Sequence, residues 1–297
     1  PMAEPQGNRE HKDRLFLKVF EDREALLSLY NAVNGSDYEN PEELEITTLD
    51  NVLYMRMKND LSFLIDGSLN FYEHQSTFNP NMPLRGCFYM VKVYQEYVER
   101  RQLDIYSSTR LTLPTPRFIV FYNGTDRMKH MPELTLKLSD SFEKQEEEPA
   151  LECKARVINI NYGFNTEIME KCPKLYEYSF LISKIREGTA QGKKLEAAIG
   201  AAIDICVEEG ILTDLLTSYR MEVIGMLLTE YDEERHLKNT YEEGVKKGQK
   251  KGESIGEFRQ LYKLIQKNFL TLHDAASANS MTEEQLMDAF KKYGITK

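Results

Sequence analysis

Runs able to form β-strands occur only before about residue 165, so any sheet must be built from the first half of the chain, with helices filling the rest. From Lys12 to Asn34 the apolar residues Leu15, Phe16, Val19, Phe20, Leu26, Leu27 and Tyr30 recur at helical spacing. Asn34-Gly35 supplies a stop signal, and the segment is expected to be one amphipathic helix. The polar link SDYENPEELE leads into ITTLDNVLYMRMK, rich in β-branched residues and Tyr. DLSFLIDG and LNFYEHQS follow as two more strands of an antiparallel meander. After the turn FNPNMPLRG, the run RGCFYMVKVYQEYVERR places Phe88, Val91, Tyr94, Tyr97 and Val98 on one helical face. PTPRFIVFYNG reads as a buried strand set off by prolines and closed by Asn-Gly. The order is therefore α, β, β, β, α, β. LECKARVINI adds a fifth strand after the solvated loop EKQEEEP. The class this predicts is α/β in the α+β sense, a mixed central sheet flanked by helices and followed by an all-helical C-terminal region.

The meander carries acids and amides where a plain hairpin keeps apolar side chains, in NDLSFLIDGSLNFYEHQS, residues 59–76. With Gly67-Ser68 as a two-residue turn, Asp60 falls opposite Gln75 and Ser62 opposite Glu73. Asp60, Ser62, Glu73 and Gln75 then share one face, with Asp60 diagonal to Glu73. Asp66 sits at the turn, about 20 Å from Asp60 at about 3.3 Å per residue, and reads as a turn former. Two carboxylates in that reach are what a hard divalent cation such as Mg²⁺ asks of a protein, and the His74 carbonyl is a natural further donor. A cation so held polarises a phosphodiester and acidifies an attacking water. Acid and amide pairs also decorate half-exposed sheets without any ligand, and a three-residue turn would send Asp60 to the other face.

Charge limits the partners. The chain has a formal net charge of −10 and a pI near 5.2, which excludes a surface that is basic throughout. Residues 81–130 nonetheless hold eight Lys or Arg against four acids, so a polyanion would be met locally, although such runs are also ordinary solvated faces. Cys87, Cys153, Cys172 and Cys206 form no CxxC pair, and reduced buried thiols are expected rather than a zinc knuckle or disulfide scaffold. PMAEPQGNREHKDR lacks an apolar signal core and LEAAIGAAIDICV is too short to span a bilayer, so a soluble cytoplasmic protein without a membrane partner is expected. Pro1 ahead of Met2 reads as a residue left by a cloned tag.

In the tail, Gly244, Gly248, Gly252 and Gly256 fall at every fourth residue with lysines between them, which excludes a membrane packing motif. A charged helix that pairs with itself and a flexible solvated linker both fit. LTLHDAASANSMTEEQLMDAF reads as two short helices, the second opened by a Thr282–Gln285 capping box. It has no basic recognition face, so a packing or homo-oligomerisation module is expected there rather than a DNA reader. The expected organisation is a catalytic domain over 1–165, a helical domain over 166–235, and a charged helix or linker with a helical module over 236–297.

The α-β-β-β-α-β order, with an acid opening the second strand and Glu73-x-Gln75 on the third, resembles the PD-(D/E)XK nuclease superfamily. The runs HKDRLF, LSLYNAVNGSDY, YEHQSTFNPNMPLR and LPTPRFIVFYNG, spread over about residues 11–165, are more closely similar to the Rpn family of recombination-promoting nucleases and transposases. The resemblance implies a nuclease-like core and a Mg²⁺-dependent DNA endonuclease, with Mn²⁺ as a substitute. It also implies little sequence preference, 3′-hydroxyl and 5′-phosphate products, and a link to DNA recombination, mobile elements or phage defence. Residue by residue, it makes Asp60 and Glu73 metal ligands and puts Gln75 where the superfamily's core motif has lysine. A neutral amide hydrogen-bonds to water or phosphate but does not acidify it as an ammonium does, which leaves the general base unassigned. A metal-bound hydroxide or a substrate phosphate could serve.

Asp13 matches the family's K-D-x-x-F start and is a candidate to approach the metal; an acid favoured by the helix dipole is the alternative. Arg85 and Tyr89, one helical turn apart, stand where relatives carry phosphate-orienting residues, with a plain surface salt bridge as the alternative for Arg85. The rival functions are a non-catalytic DNA-binding or assembly protein that keeps the fold, and an RNA nuclease.

Overall fold

The computed structural model of the protein describes residues 15–47 and 61–295. It divides into two compact units, one ending at Glu234 and one beginning at Arg235. The first contains helices α1 (Leu15–Val19) and α2 (Arg23–Asn34), strands β1 (Glu45–Ile46), β2 (Leu61–Ile65) and β3 (Ser68–Gln75), and helix α3 (Met82–Arg100). Strands β4 (Thr115–Tyr122), β5 (Glu133–Lys137) and β6 (Lys154–Asn159) follow, then helices α4 (Thr166–Lys171), α5 (Pro173–Ala190), α6 (Leu195–Glu208) and α7 (Thr213–Ser218). Helix α8 (Arg220–Gln266) begins in this unit, and α9 (Leu272–Ala278) and α10 (Glu283–Lys292) belong to the second.

The six strands form one mixed sheet in the order β1-β2-β3-β4-β6-β5. Strands β1, β2 and β3 pair antiparallel, β3, β4 and β6 run parallel, and β5 closes the far edge antiparallel to β6. The class is α+β, as the order of signals implied. Parallel pairing of β3 with β4 requires a crossover, and α3 supplies it. Beyond β6 the described residues are helical, and α4 to α7 contribute to the same apolar core as α1, α2 and one face of the sheet, through Leu175, Leu181, Ile199 and Leu216 among others. A second, smaller core lies on the opposite face, where Leu69, Phe71, Phe118, Val120 and Val157 meet Met82, Tyr89 and Val93 of α3. Strand β3 is thus covered on both sides, and seven of its eight residues are buried.

Three expectations about this unit change. The helix expected over Lys12–Asn34 is two helices, because the Asp22 side chain caps the nitrogen of Ala25 and starts α2 afresh after a break at Phe20–Asp22. Its end at Gly35 is as expected: Gly35 takes the left-handed conformation, φ 66°, and closes the helix onto Asn31. The hairpin turn is Asp66-Gly67 rather than Gly67-Ser68. Both residues have positive φ, 44° and 66°, the type I′ requirement that Asp-Gly meets best. Leu61 then faces Tyr72 and Ser62 faces Phe71, not Glu73. A displacement of two residues leaves each side chain on its own face but changes its neighbour. Strand β5 was not anticipated; its half-buried Leu134 and Leu136 alternate with exposed Glu133, Thr135 and Lys137, the pattern of an edge strand.

The strand read in ITTLDNVLYMRMK is described only at its start, as part of β1; the rest lies outside the described residues. LECKARVINI forms β6 over Lys154–Asn159, and α3 starts three residues before the expected run, with Pro83 in its first turn. The glycine-punctuated stretch is helical, inside the 47 residues of α8, and no described atom lies within 4 Å of a side-chain carbon built at Gly244, Gly248, Gly252 or Gly256. In the second unit, Ala275, Ala276, Leu286 and Phe290 form a small core with Phe258, Leu261 and Tyr262. Thr282 and Gln285 make the expected capping box of α10.

Candidate active site at the carboxyl end of β3

Alternation along β3 sends Glu73 and Gln75 to the α3 side of the sheet and Tyr72 and His74 to the other. The two sides are chemically different. On the α3 side, Glu73 is 2% exposed and accepts a hydrogen bond at its Oε2 from Arg85 Nη2 at 3.3 Å. Arg85 is in turn held by the buried Tyr89 hydroxyl, which accepts from Nη2 at 2.7 Å and Nε at 3.1 Å. Its Nη1 lies 3.5 Å from Met82 Sδ, and the Gln75 amide donates to the same sulfur.

A buried carboxylate without a counter-charge is strongly unfavourable, so the guanidinium across from Glu73 is part of what lets an acid sit in this strand. Gly86 explains how the two come within reach. A Cβ there would fall 2.3 Å from the Phe118 ring of β4, so only glycine lets α3 lie this close to the sheet.

At the same end, Tyr122 of β4 stands beside Gln75 in the parallel register, and its hydroxyl donates to Asp126 in the loop that follows. Burial first, and that hydrogen bond second, push the Tyr122 phenol well above its ordinary pKa. Asp126 is exposed and is an acid that sequence reasoning did not single out. Its relation to the strand follows from the sharp turn at Gly124, where a Cβ would lie 2.3 Å from both the Ser76 carbonyl and the Tyr122 hydroxyl.

On the opposite side, His74 is buried, stacks on Phe16 of α1 with ring centroids 4.8 Å apart, and places Nε2 2.9 Å from the Tyr178 hydroxyl of α5. Asn123 Nδ2 donates to the same hydroxyl at 3.1 Å. His74 was expected to help a metal through its carbonyl; its side chain anchors the strand from behind. Tyr178 and Asn123 had no sequence signal pointing to it, being 104 and 49 positions away along the chain.

Of the expected site residues, the structure brings together Glu73, Gln75, Arg85 and Tyr89. Asp60 and Asp13 lie outside the described residues. Among the described residues no group of three or more His, Cys, Asp and Glu side chains is placed to hold a metal ion. The donors that are described, a buried carboxylate and an amide at one strand end, are hard oxygens of the kind Mg²⁺ prefers, and the charge now balancing Glu73 is itself a cation. In kind they fit such an ion; in number the set depends on a second carboxylate.

The described helices include none long and apolar enough to cross a membrane. Cys153, Cys172 and Cys206 are buried free thiols and Cys87 is a half-buried one; burial raises the first three, Cys153 to about 11. Comparison with known proteins finds no matching family model, no matching curated protein and no matching solved structure.

Proposed function

We propose that the chain is a metal-dependent endonuclease of the Rpn type that hydrolyses DNA phosphodiesters with little sequence preference. The observation that carries the reading is the pairing of Glu73 with Arg85. It is a buried acid at the carboxyl end of a strand covered on both faces, met by a cation from the helix that follows. Open sheets with parallel strands commonly place their sites at that end. In this reading Glu73, Asp60 and the His74 carbonyl would hold the ion, which when bound would supply Lewis acidity and a more acidic water.

The chain's own residues do the rest. Gln75, with a donor and an acceptor on one amide, orients the attacking water against the scissile phosphate. Arg85, steadied by Tyr89, meets the negative charge that grows on the phosphate oxygens, where a guanidinium offers more than a lysine could through its planar fork. Asp13 and the basic character of residues 81–130 would add to the electrostatic frame that draws in the polyanion. Homo-oligomerisation through the second unit and action in the cytoplasm belong to the same proposal.

The test is nicking of supercoiled plasmid by the purified protein with Mg²⁺ or Mn²⁺, beside Glu73→Ala and Asp60→Ala. Nicking by the parent and at least about a hundredfold less by each variant is the expected result. Equal cutting by parent and both variants removes the site from this strand. DNA binding with no cutting by any of them selects the non-catalytic alternative, and preference for an RNA substrate in the same assay selects the RNA nuclease.

A further inference from the structure

We propose that the cleft at the carboxyl ends of β4 and β6 receives an unpaired nucleobase, its edge met by Asn123 and Arg186 and its face by Tyr162. The inference goes beyond the nuclease reading and does not depend on it. The cleft lies on the α5 side of the sheet, opposite to the side that Glu73 faces, and calls for no metal.

Three observations carry it. The first is place and size. Asn123 directly follows β4, Ile160 and Asn161 directly follow β6, and Ser183 and Arg186 of α5 help to close a cleft of about 370 Å³. Ligand sites of roughly 300–1,000 Å³ are common, and in open sheets they favour the carboxyl ends of parallel strands. Tyr162 also walls a neighbouring cleft of about 430 Å³ together with Met169 and Tyr176, so one aromatic ring serves both.

The second is an incomplete set of hydrogen bonds. Asn123 is 4% exposed and its Nδ2 is given to the Tyr178 hydroxyl, while its Oδ1 has no hydrogen-bond partner among the described residues. A buried amide oxygen is costly to leave unsatisfied, which favours a ligand that brings an N–H. Beside it, Arg186 donates through Nη2 to the Asn123 carbonyl and through Nη1 to Asn161 Oδ1. A guanidinium has five N–H donors, so others remain for an acceptor on the ligand. The edge of a nucleobase carries an N–H donor next to an acceptor, which matches this pair of wall groups.

The third is a braced aromatic face. Tyr162 is 49% exposed, and Phe180 holds it edge-on, with ring centroids 5.6 Å apart and planes at 74°. Its loop is pinned on either side, by Asn161 Nδ2 donating to the Gly124 carbonyl at 2.9 Å and by Asn165 Nδ2 donating to the Asn159 carbonyl at 2.8 Å. A platform fixed beforehand loses little freedom when a base stacks on it.

Charge narrows the chemistry of the occupant. Glu187 at the rim is paired with Lys184 at 3.0 Å and Glu170 lines the neighbouring cleft, so the described walls hold no surplus of positive charge for a phosphate. An amino acid would bring its ammonium against the Arg186 guanidinium, whereas the edge of a base is uncharged.

The experiment is fluorescence anisotropy with the full chain in EDTA at about 0.15 M salt. The probes are a labelled single strand of about a dozen deoxynucleotides, the same strand made abasic throughout, and labelled deoxyadenosine. The abasic strand keeps every phosphate, so only the bases differ. The parent is expected to bind the intact strand at least about tenfold more tightly than the abasic one. Tyr162→Ala should lose about tenfold for the intact strand, and Tyr162→Phe should stay within about threefold of the parent. Arg186→Gln, with folding checked by circular dichroism, should weaken the intact strand and leave the abasic one unchanged.

Deoxyadenosine bound as tightly as the strand identifies the occupant as the base of a free nucleoside; much weaker binding identifies it as a base within a strand. Equal binding of intact and abasic strands with no binding of deoxyadenosine overturns the pocket, and so does a Tyr162→Ala protein that binds like the parent. A parent that nicks plasmid but fails these tests loses the pocket and keeps the nuclease reading. One that passes them and never nicks keeps the pocket and loses the nuclease reading.

Discussion

Glu73 and His74 are neighbours on one strand, both buried to within 2% of full exclusion, and they meet opposite surroundings. Glu73 faces α3, where a guanidinium, a phenol, an amide and a thioether gather within one helical turn of Arg85. His74 faces α1 and α5, where it is sandwiched among Phe16, Tyr178 and the apolar core and its Nε2 lies 2.9 Å from the Tyr178 hydroxyl. The lesson is that one residue of alternation separates a buried acid met by a guanidinium from a buried imidazole packed among aromatic rings. The α3 side reaches solvent through the part-exposed Arg85, whereas the His74 side is closed, with the Tyr178 hydroxyl 2.9 Å from Nε2.

The comparison breaks most readily at Gln75. If the α3 side is the working side, Gln75→Ala should lower Mg²⁺-dependent plasmid nicking by about a hundredfold while leaving the melting temperature nearly unchanged, since Gln75 is only half-buried. A variant that cuts normally would leave Gln75 with no chemical part.

The opposite side should fail in the other currency. Tyr178→Phe removes the hydroxyl shared by His74 and Asn123 and leaves two buried polar groups without that partner, an expected loss of about 1–3 kcal/mol in urea unfolding. Nicking per folded molecule should be retained. A large loss of activity with unchanged stability would mean that the two faces are not separable.

The smallest effect is at the turn, where the hairpin's two strands are joined. The Tyr38 hydroxyl donates to Asp66 at 2.5 Å, and that hydrogen bond, then burial, pushes the phenol up from its ordinary 10.0 to about 12. Because the folded value lies above the unfolded one, the contact's contribution is complete below pH 10 and is lost as the pH rises toward 12. In a spectrophotometric titration of tyrosinate, Asp66→Asn should return one tyrosine to near its ordinary range; an unchanged curve would show that the hydrogen bond does not form in solution.

Some of this was legible in the chain. Gly35 had to end a helix because a left-handed residue was needed there, and Thr282 and Gln285 announced their box because a cap is a local contact between residues three apart. The turn was legible too, in Asp66-Gly67, since positive φ at two successive residues is a strong demand that few dipeptides meet; reading it one position late moved Ser62 from Phe71 to Glu73 on paper. The break at Asp22 was harder to see, because the apolar spacing on either side of it is continuous with a single helix and only the cap interrupts it.

What the sequence by itself determined is therefore local: helices, turns and caps, and the parity that sends Glu73 and Gln75 to one face and His74 to the other, all set by contacts within a few residues. Tertiary structure alone decided what those faces meet. Arg85 reaches Glu73 because Gly86 lets α3 sit against Phe118, and Tyr178 reaches His74 across 104 residues because α5 packs behind the sheet. Nothing in local propensity encodes such meetings; they arise when apolar faces from distant segments are buried together, and the polar partners are carried into place by that packing.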